Sequence, residues 1–201
     1  MLVEMVKRPN KSNILTTVLT IGHSTRSIES FIEMLHAHGV KRVVDVRTIP
    51  RSRTNPQFNR DSLAQSLAEA GIGYSHAAEL GGLRHSRKDS LNAGWRNASF
   101  RGYADYMQTP EFTANLDALI ALATEGSETT FPSGKRISAG HVAIMCAEAV
   151  PWRCHRSLIA DALMVRGFDV REIAGETKMA PHKLTPFAKV EGTRIVYPAL
   201  A

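Results

Sequence analysis

The chain has 201 residues, enough for one domain with a hydrophobic core but short for two domains that fold independently. Hydrophobic residues make up 43% and charged residues 22%, which excludes a disordered chain and leaves both an enzyme and a binding protein open. The sequence has no apolar run near the roughly 18 residues that span a bilayer and no secretory signal at its start. We therefore expect a cytoplasmic protein without membrane contact.

A net charge of +6 favours anionic partners, namely nucleic acid, nucleotides or phosphorylated small molecules. The basic residues are concentrated in two segments. One contains Arg47, Arg51, Arg53 and Arg60, and the other contains Arg84, His85, Arg87, Lys88, Arg96 and Arg101. Each segment is either a binding surface or a solvated basic loop.

The first predicted elements are a strand, a helix and a second strand. Residues 18–22, VLTIG, form a short β-branched apolar run, which is typical of a buried strand. Residues 24–27 supply capping hydroxyls, and apolar residues then recur at helical spacing as far as Gly39. Residues 42–47, RVVDVR, repeat the strand pattern.

The middle of the chain continues this alternation before it becomes irregular. Asn59 or Asp61 caps a helix that ends at Gly71, and residues 73–77 predict a short strand. Residues 79–97 are rich in glycine, serine and basic side chains and too long for a simple connector. This stretch is either a functional loop or partly disordered.

Two helices, 100–108 and 110–126, are separated where Pro110 interrupts the helical pattern. Residues 127–140 have loop composition and predict a hairpin or a surface insertion. They are followed by a predicted strand, a helix and a closing strand at 141–146, 153–166 and 170–173.

Apolar strands that alternate with helices predict an α/β fold: a single three-layer, Rossmann-like domain, with a mostly parallel central sheet and helices on both faces. We divide the chain into an N-terminal extension at 1–17, the α/β domain at 18–174, and a C-terminal tail packed on the domain at 175–201. Right-handed crossovers bring the carboxyl ends of parallel strands to one edge, where open sheets bind ligands. Catalytic and binding residues are therefore expected at the ends of the strands.

Both cysteines fall at this edge. Cys146 ends a strand, and Cys154 occupies the first turn of the following helix, beside Arg153, His155 and Arg156. Helix dipole and cations favour a thiolate, which makes Cys154 the better nucleophile candidate. Cys146 is either a supporting residue or a small buried hydrophobe. A disulfide between the two cysteines and a metal site are the alternatives. The spacing of these residues is unusual for a zinc site, and we assign no metal ligands.

Other polar residues converge on the same edge. His23, His155 and Glu148 are candidates for acid/base chemistry, although each is also an ordinary turn or capping residue. Asp45 and Arg47 share a strand face. Either they pair with each other, or Arg47 contacts a phosphate while Asp45 orients His23. The candidate substrate- or phosphate-binding residues are Ser24, Arg47, Arg51, Arg53, Arg84, Tyr103 and Arg156.

The blocks TIGHSTRSIESFIEMLHAHGVKRVVDVRTIPRSR, LGGLR, FRGYADYM and MCAEAVPWRCHRSLIADAL resemble domain-of-unknown-function family 488, from about Thr20 to Tyr197. The resemblance implies a compact α/β protein and no particular reaction. Its signature positions map onto Gly22, His23, Ser24, Asp45, Arg47, Pro50, Gly81, Gly82, Tyr103, Cys146, Glu148, Cys154, His155 and Arg156.

The presence of Cys, His and Glu residues together at the carboxyl edge of the predicted sheet favours an enzyme. Its expected substrate carries a phosphate and is either a nucleotide or a nucleic-acid end. The alternatives are a non-catalytic nucleic-acid-binding protein that uses its basic loops, and a metal-binding or redox protein that uses Cys146 and Cys154. The sequence identifies neither a cofactor nor an oligomeric state.

Overall fold

The architecture is a central β-sheet with helices on both faces. The computed structural model describes residues 16–125 and 140–199, together with the backbone of two short strands between them. Within these residues, no helix has both the length and the apolar character needed to cross a bilayer.

The elements follow one another in the predicted alternation. The strands are β1 (Thr17–Gly22), β2 (Val40–Asp45), β3 (Gly73–His76), β4 (Thr129–Thr130), β5 (Arg136–Ile137), β6 (His141–Cys146), β7 (Asp169–Gly175), β8 (Lys178–Pro181), β9 (Lys189–Glu191) and β10 (Arg194–Val196). The helices are α1 (Ile28–Ala37), α2 (Arg60–Glu69), α3 (Ala98–Tyr106), α4 (Pro110–Glu125) and α5 (Arg156–Val165).

Six strands form the central sheet in the order β3-β2-β6-β1-β7-β8. The first five are parallel, and β8 runs antiparallel to β7 at the edge. Parallel neighbours must be joined by crossovers, and the helices between them supply these connections. The predicted fold class, a mostly parallel Rossmann-like sheet with helices on both faces, is confirmed.

Alternate residues of the strands pack against different helices because successive side chains point to opposite faces of a sheet. Leu19 and Ile21 face the layer formed by α1 and α2, whereas Val18 faces the layer formed by α3, α4 and α5. Phe31 of α1 and Tyr103 of α3 are fully buried, one in each layer. Both faces are therefore closed to water, and the carboxyl edge of the sheet is where a ligand can approach the strands.

The chain after β7 takes part in the fold. The predicted boundary after residue 174 falls inside β7, and β8 extends the sheet. β9 and β10 form an antiparallel hairpin. Residues 1–15 of the predicted extension lie outside the described residues, and so does most of the predicted insertion at 127–140, of which the β4–β5 ladder is described.

A buried carboxylate holds the C-terminal segment against α5. Tyr197 is fully buried, and its hydroxyl donates to Asp161 Oδ2 at 2.9 Å. The other carboxylate oxygen lies 2.7 Å from His182 Nε2 and accepts the Thr185 N–H at 3.2 Å. Asp161 is itself fully buried, so its charge depends on these partners.

Replacing Tyr197 with Phe should destabilise the protein by about 1–3 kcal/mol, because it leaves Asp161 Oδ2 without its hydroxyl donor inside the core. Urea unfolding measures this difference as a lower transition midpoint. An unchanged midpoint would show that the C-terminal segment does not depend on this contact.

Candidate active site

Three parallel strands end side by side and bring distant parts of the chain together. Gly22 is paired with Cys146, and Asp45 with Met145. The His23 N–H donates to the Cys146 carbonyl oxygen at 3.0 Å, which fixes the exits of β1 and β6 against each other. The expected meeting of strand ends at one edge of the sheet is observed.

A crevice of about 380 Å³ opens at this edge. Polar side chains and both sulfur atoms reach its wall. These residues are Arg47, Cys146, Glu148, Arg153, Cys154 and His155. Five of them were singled out from the sequence, so chain topology does bring much of the predicted constellation into one cavity.

The segment between β6 and α5, which carries both cysteines, is anchored from beneath by Arg156. This side chain is fully buried and donates to the carbonyl oxygens of Glu148 at 2.8 Å and Ala149 at 3.3 Å. It also forms an ion pair with Glu172 of β7 at 2.8 Å. Burial raises the pKa of Glu172, and the charge of Arg156 acts against that rise. Breaking a buried pair costs about 3–5 kcal/mol, so this contact fixes the segment firmly.

Gly22 allows the same segment to lie directly on the end of β1. A Cβ atom at this position would lie only 1.8 Å from the Glu148 carbonyl oxygen, with the backbone of Ala149 close behind. Any side chain here would push the β6–α5 segment outward. The glycine therefore sets the depth of the crevice floor.

Cys146, Cys154 and His155 form a cluster on that floor. Their sulfur atoms and one imidazole nitrogen all lie within 4.8 Å of one another, and Cys154 Sγ is 3.7 Å from His155 Nδ1. His155 Nε2 lies 3.0 Å from the Val46 carbonyl oxygen, which can only accept a hydrogen bond. The Nε2 proton therefore points to Val46, and Nδ1 faces the sulfur atoms, where it donates a hydrogen bond when it carries a proton and accepts one when it does not.

The electrostatics of the buried pair favour Cys146 over the predicted Cys154 as the ionised sulfur. Cys154 accepts the Arg156 N–H at 3.5 Å at the start of α5, as the helix argument anticipated. However, the hydrogen bond from its thiol to Cys146, together with burial, raises the pKa of Cys154 well above its usual value. The same hydrogen bond, with help from His155, lowers the pKa of Cys146 from 9.0 to about 4. The directions of these two shifts favour Cys146 as the thiolate, with the proton kept on Cys154.

A buried network of charges stands behind the wall of the crevice. Asp45 accepts hydrogen bonds from Arg47 Nε at 2.8 Å, Arg47 Nη2 at 2.6 Å and the Tyr74 hydroxyl at 2.8 Å. Arg47 Nη1 lies 3.1 Å from His23 Nε2, while His23 Nδ1 lies 2.8 Å from the Ser24 carbonyl oxygen. Direct pairing of Asp45 with Arg47 is thus the observed alternative, and Arg47 in turn orients His23.

His23 and Ser24 lie behind the crevice rather than in its wall. The His23 ring stacks on Phe58 with ring centroids 4.2 Å apart, and burial lowers its pKa, so the ring is neutral. The Ser24 N–H donates to the Ala147 carbonyl oxygen at 2.8 Å. These contacts fit a positioning role for both residues better than the predicted acid/base and phosphate-binding roles.

Three predicted ligand-binding residues already have interaction partners within the protein. Arg156 is the buried anchor described above, and the fully buried Tyr103 donates its hydroxyl to the Leu80 carbonyl oxygen at 2.9 Å. The guanidinium of Arg84 lies 3.5 Å from the centre of the Tyr106 ring. Their residue types suggested ligand contacts, but these groups already have protein partners. Two further candidates, Arg51 and Arg53, are exposed and do not line the crevice.

The family model of the domain of unknown function DUF488 matches residues 27–163, which is more than half of the chain. The chain belongs to this family. Comparison with curated proteins and with solved structures gives no match. The matched region of this DUF488 protein runs from α1 into α5 and therefore includes both cysteines and most of the crevice wall.

Several residues of the crevice were not predicted as site residues. Arg153 stood beside Cys154 in the sequence but was not selected, and Gly82 was noted only as part of the motif LGGLR. A Cβ atom at Gly82 would lie 2.6 Å from His155 Nδ1, so this glycine makes room for the imidazole. Ile49 and Leu83 give the mouth an apolar rim and are 66% and 72% exposed. The positions of these two apolar residues within basic loops were the sequence signal that could have predicted Ile49 and Leu83 as part of the crevice.

The cysteine cluster also contains the donor atoms with which a metal would be bound. Tetrahedral zinc holds sulfur atoms about 3.8 Å apart, given bonds of about 2.3 Å. The three donor atoms of this cluster lie within 4.8 Å of one another, and among the described residues the group contains no fourth donor. Binding zinc in a tetrahedral site would require a fourth ligand to enter from the crevice.

A second cavity, of about 640 Å³, lies on the other side of residues 149–152. Its wall includes Trp95, Trp152 and Phe187, and neither cysteine faces it. Although it is the larger cavity, it lacks the nucleophile and the imidazole. We therefore place the candidate active site in the crevice.

The pKa of Cys146 predicts an unusual reactivity profile. Its sulfur should be alkylated by iodoacetamide at a nearly constant rate above about pH 5, and the rate should fall only as the pH drops through the pKa and the thiolate gains a proton. Mass spectrometry after timed quenching measures the rate at this residue. A rate that keeps rising up to pH 9 would contradict the assignment.

Replacing Gly82 with Ala should displace His155 and slow alkylation of Cys146 at pH 4.5 by about threefold to tenfold, because the pKa of Cys146 rises when the imidazole no longer supports the thiolate. The matched control is Gly175→Ala in β7, where the nearest atom to the new Cβ lies 4.0 Å away. Equal rates in both variants would show that the position of the imidazole does not matter.

Proposed function

We propose that this protein is an enzyme in which the Cys146 thiolate attacks a small substrate that carries an anionic group such as a phosphate. The observation that carries the proposal is the cluster of two sulfur atoms and an imidazole at the floor of a crevice of about 380 Å³. A cysteine kept only for packing needs neither a second thiol nor a histidine directed at it.

The cluster supplies the groups that nucleophilic catalysis by cysteine requires. The thiolate is the nucleophile, and the Cys154 thiol stabilises it by donating a hydrogen bond. His155 is held by Val46 so that Nδ1 faces the sulfur atoms, where it can accept or return a proton. Glu148 is exposed in the crevice wall and is a second candidate for proton transfer to the leaving group.

The preference for an anionic substrate rests on the cations of the crevice. Arg153 is exposed and lines the crevice, and among the described residues no ion pair engages its guanidinium. Arg47 adds positive charge at the opposite wall, although Asp45 neutralises most of it. Glu148 also lines the crevice and disfavours a multiply charged anion, so we expect a single anionic group that pairs with Arg153.

The alternative of a non-catalytic nucleic-acid-binding protein has weaker support. It requires arginines that are free to contact backbone phosphates. Arg47 is buried against Asp45, Arg84 stacks on Tyr106, and Arg87 is paired with Asp89 at 2.8 Å. Three of the eight arginines in the two basic segments therefore already have partners within the protein.

The charge preference can be tested by alkylating Cys146 with two small reagents, anionic iodoacetate and neutral iodoacetamide. Arg153→Gln should lower the rate with iodoacetate by about threefold to tenfold and leave the rate with iodoacetamide unchanged, since one nearby charge is lost. Inorganic phosphate should slow alkylation of the wild type and have less effect on this variant.

The matched control is Arg171→Gln in β7, which removes an equal charge from a side chain paired with Asp169 away from the crevice. It should behave like the wild type. If both variants respond alike, the crevice has no specific anion site. If Cys146 fails to react with either reagent at neutral pH, the thiolate mechanism itself is wrong.

A further inference from the structure

Nucleophilic catalysis by cysteine requires only one thiol, and this site contains two. Many groups can donate a hydrogen bond to a thiolate, yet here the donor is a thiol whose own sulfur can form a covalent bond. Cys154 is 3% exposed and Cys146 is 7% exposed, and both sulfur atoms border the same crevice. The arrangement places a second thiol within 4.8 Å of the proposed nucleophile.

This inference rests on the proposed function and specifies its substrate class. We propose that Cys146 and Cys154 form a thiol–disulfide exchange centre, in which the electrophile is a sulfur atom of a small disulfide that carries an anionic group. Cys146 is the attacking cysteine and Cys154 the resolving cysteine.

The geometry permits the disulfide that such a cycle requires. A disulfide brings two sulfur atoms to about 2.05 Å with Cβ atoms about 3.5–4.5 Å apart. The sulfur atoms of Cys146 and Cys154 already lie within 4.8 Å, so rotation of the side chains covers much of the remaining distance. Both residues lie in one short segment, and the anchoring of that segment by Arg156 keeps the two sulfur atoms close together.

The roles of the two cysteines follow from their positions. Cys146 lies at the exit of β6 and carries the negative charge, which makes it the sulfur that meets a substrate. Cys154 retains its proton until His155 Nδ1, 3.7 Å away, removes it. This order prevents Cys154 from competing for the substrate during the first step.

The reaction balances in two steps. The Cys146 thiolate attacks one sulfur atom of the substrate, the substrate S–S bond breaks, one substrate thiolate leaves, and a mixed disulfide forms on Cys146. Cys154 then transfers its proton to His155 Nδ1 and attacks the Cys146 sulfur, which releases the second substrate thiolate. The proton that His155 Nδ1 took from Cys154 then passes to a departing substrate thiolate. The two protein cysteines lose two electrons, the substrate disulfide gains them, and an external thiol restores the dithiol.

The crevice selects the class of disulfide. A volume of about 380 Å³ admits a low-molecular-weight disulfide, while a disulfide inside a folded protein could not reach the sulfur atoms at its floor. Ile49 and Leu83 at the rim favour an apolar arm, and Arg153 favours an anionic group. An aromatic disulfide with carboxylate groups, dithiobis-nitrobenzoate, matches these features and releases a coloured thiolate.

The test is stoichiometric reaction of the full chain with this reagent at pH 8, where Cys146 also reacts in variants that lack the Cys154 thiol. The wild type should release two coloured thiolates per protein and retain no adduct, because Cys154 displaces the bound half. Cys154→Ser should release one and keep a nitrobenzoate adduct on Cys146 that persists about tenfold longer or more. Cys154→Ala checks this result without a hydroxyl, and thermal unfolding confirms that each variant is folded.

The outcomes separate this inference from the proposed function. A wild type that retains the adduct on Cys146, or carries one adduct on each cysteine, overturns the exchange centre while Cys146 remains a reactive nucleophile. A Cys146 that does not react at all overturns both. Rapid loss of the adduct in the wild type and its persistence in both Cys154 variants is the result that supports the proposal.

Discussion

The candidate site depends on one buried guanidinium. Arg156 lies beneath the segment that joins β6 to α5 and ties the carbonyl oxygens of that segment to Glu172 on β7. Apart from one 3-10 turn, the segment has no regular structure of its own, so these bonds fix the separation of the two sulfur atoms. Because Arg156 is fully buried, its charge also favours the ionised form of both cysteines. One side chain thus provides both geometry and electrostatic potential.

Above this anchor, the two sulfur atoms lie within 4.8 Å of each other, which favours one ionised and one protonated thiol. The hydrogen bond from Cys154 stabilises negative charge on Cys146, and the same bond makes Cys154 hard to ionise. The Asp45–Arg47 pair is separate from this proton, since its hydrogen bonds go to His23, Tyr74 and Phe58. It forms the rigid opposite wall. The site therefore combines a reactive pair on an anchored segment with a wall whose charges are already satisfied.

The sheet could be predicted because apolar strands and amphipathic helices alternate clearly along the chain. The meeting of Cys146, Cys154 and Arg47 followed from that topology alone. Which thiol keeps its proton did not follow, because it depends on the distance between sulfur atoms and on an imidazole directed by the Val46 carbonyl oxygen. Arg156 and Tyr103 were expected to contact a ligand because of their residue types. Their burial depends on packing between elements far apart in the sequence, which no local pattern records.

The most direct test of this account is the ultraviolet absorbance of thiolate as a function of pH, compared between the wild type and Cys154→Ala. The account predicts that the wild type keeps one ionised sulfur down to a midpoint of about pH 4. In the variant the midpoint should move up towards the ordinary cysteine value of 9.0, because Cys146 has lost its hydrogen-bond donor. A wild type in which both thiols ionise together near pH 9 would contradict the central claim that the two sulfur atoms share one proton.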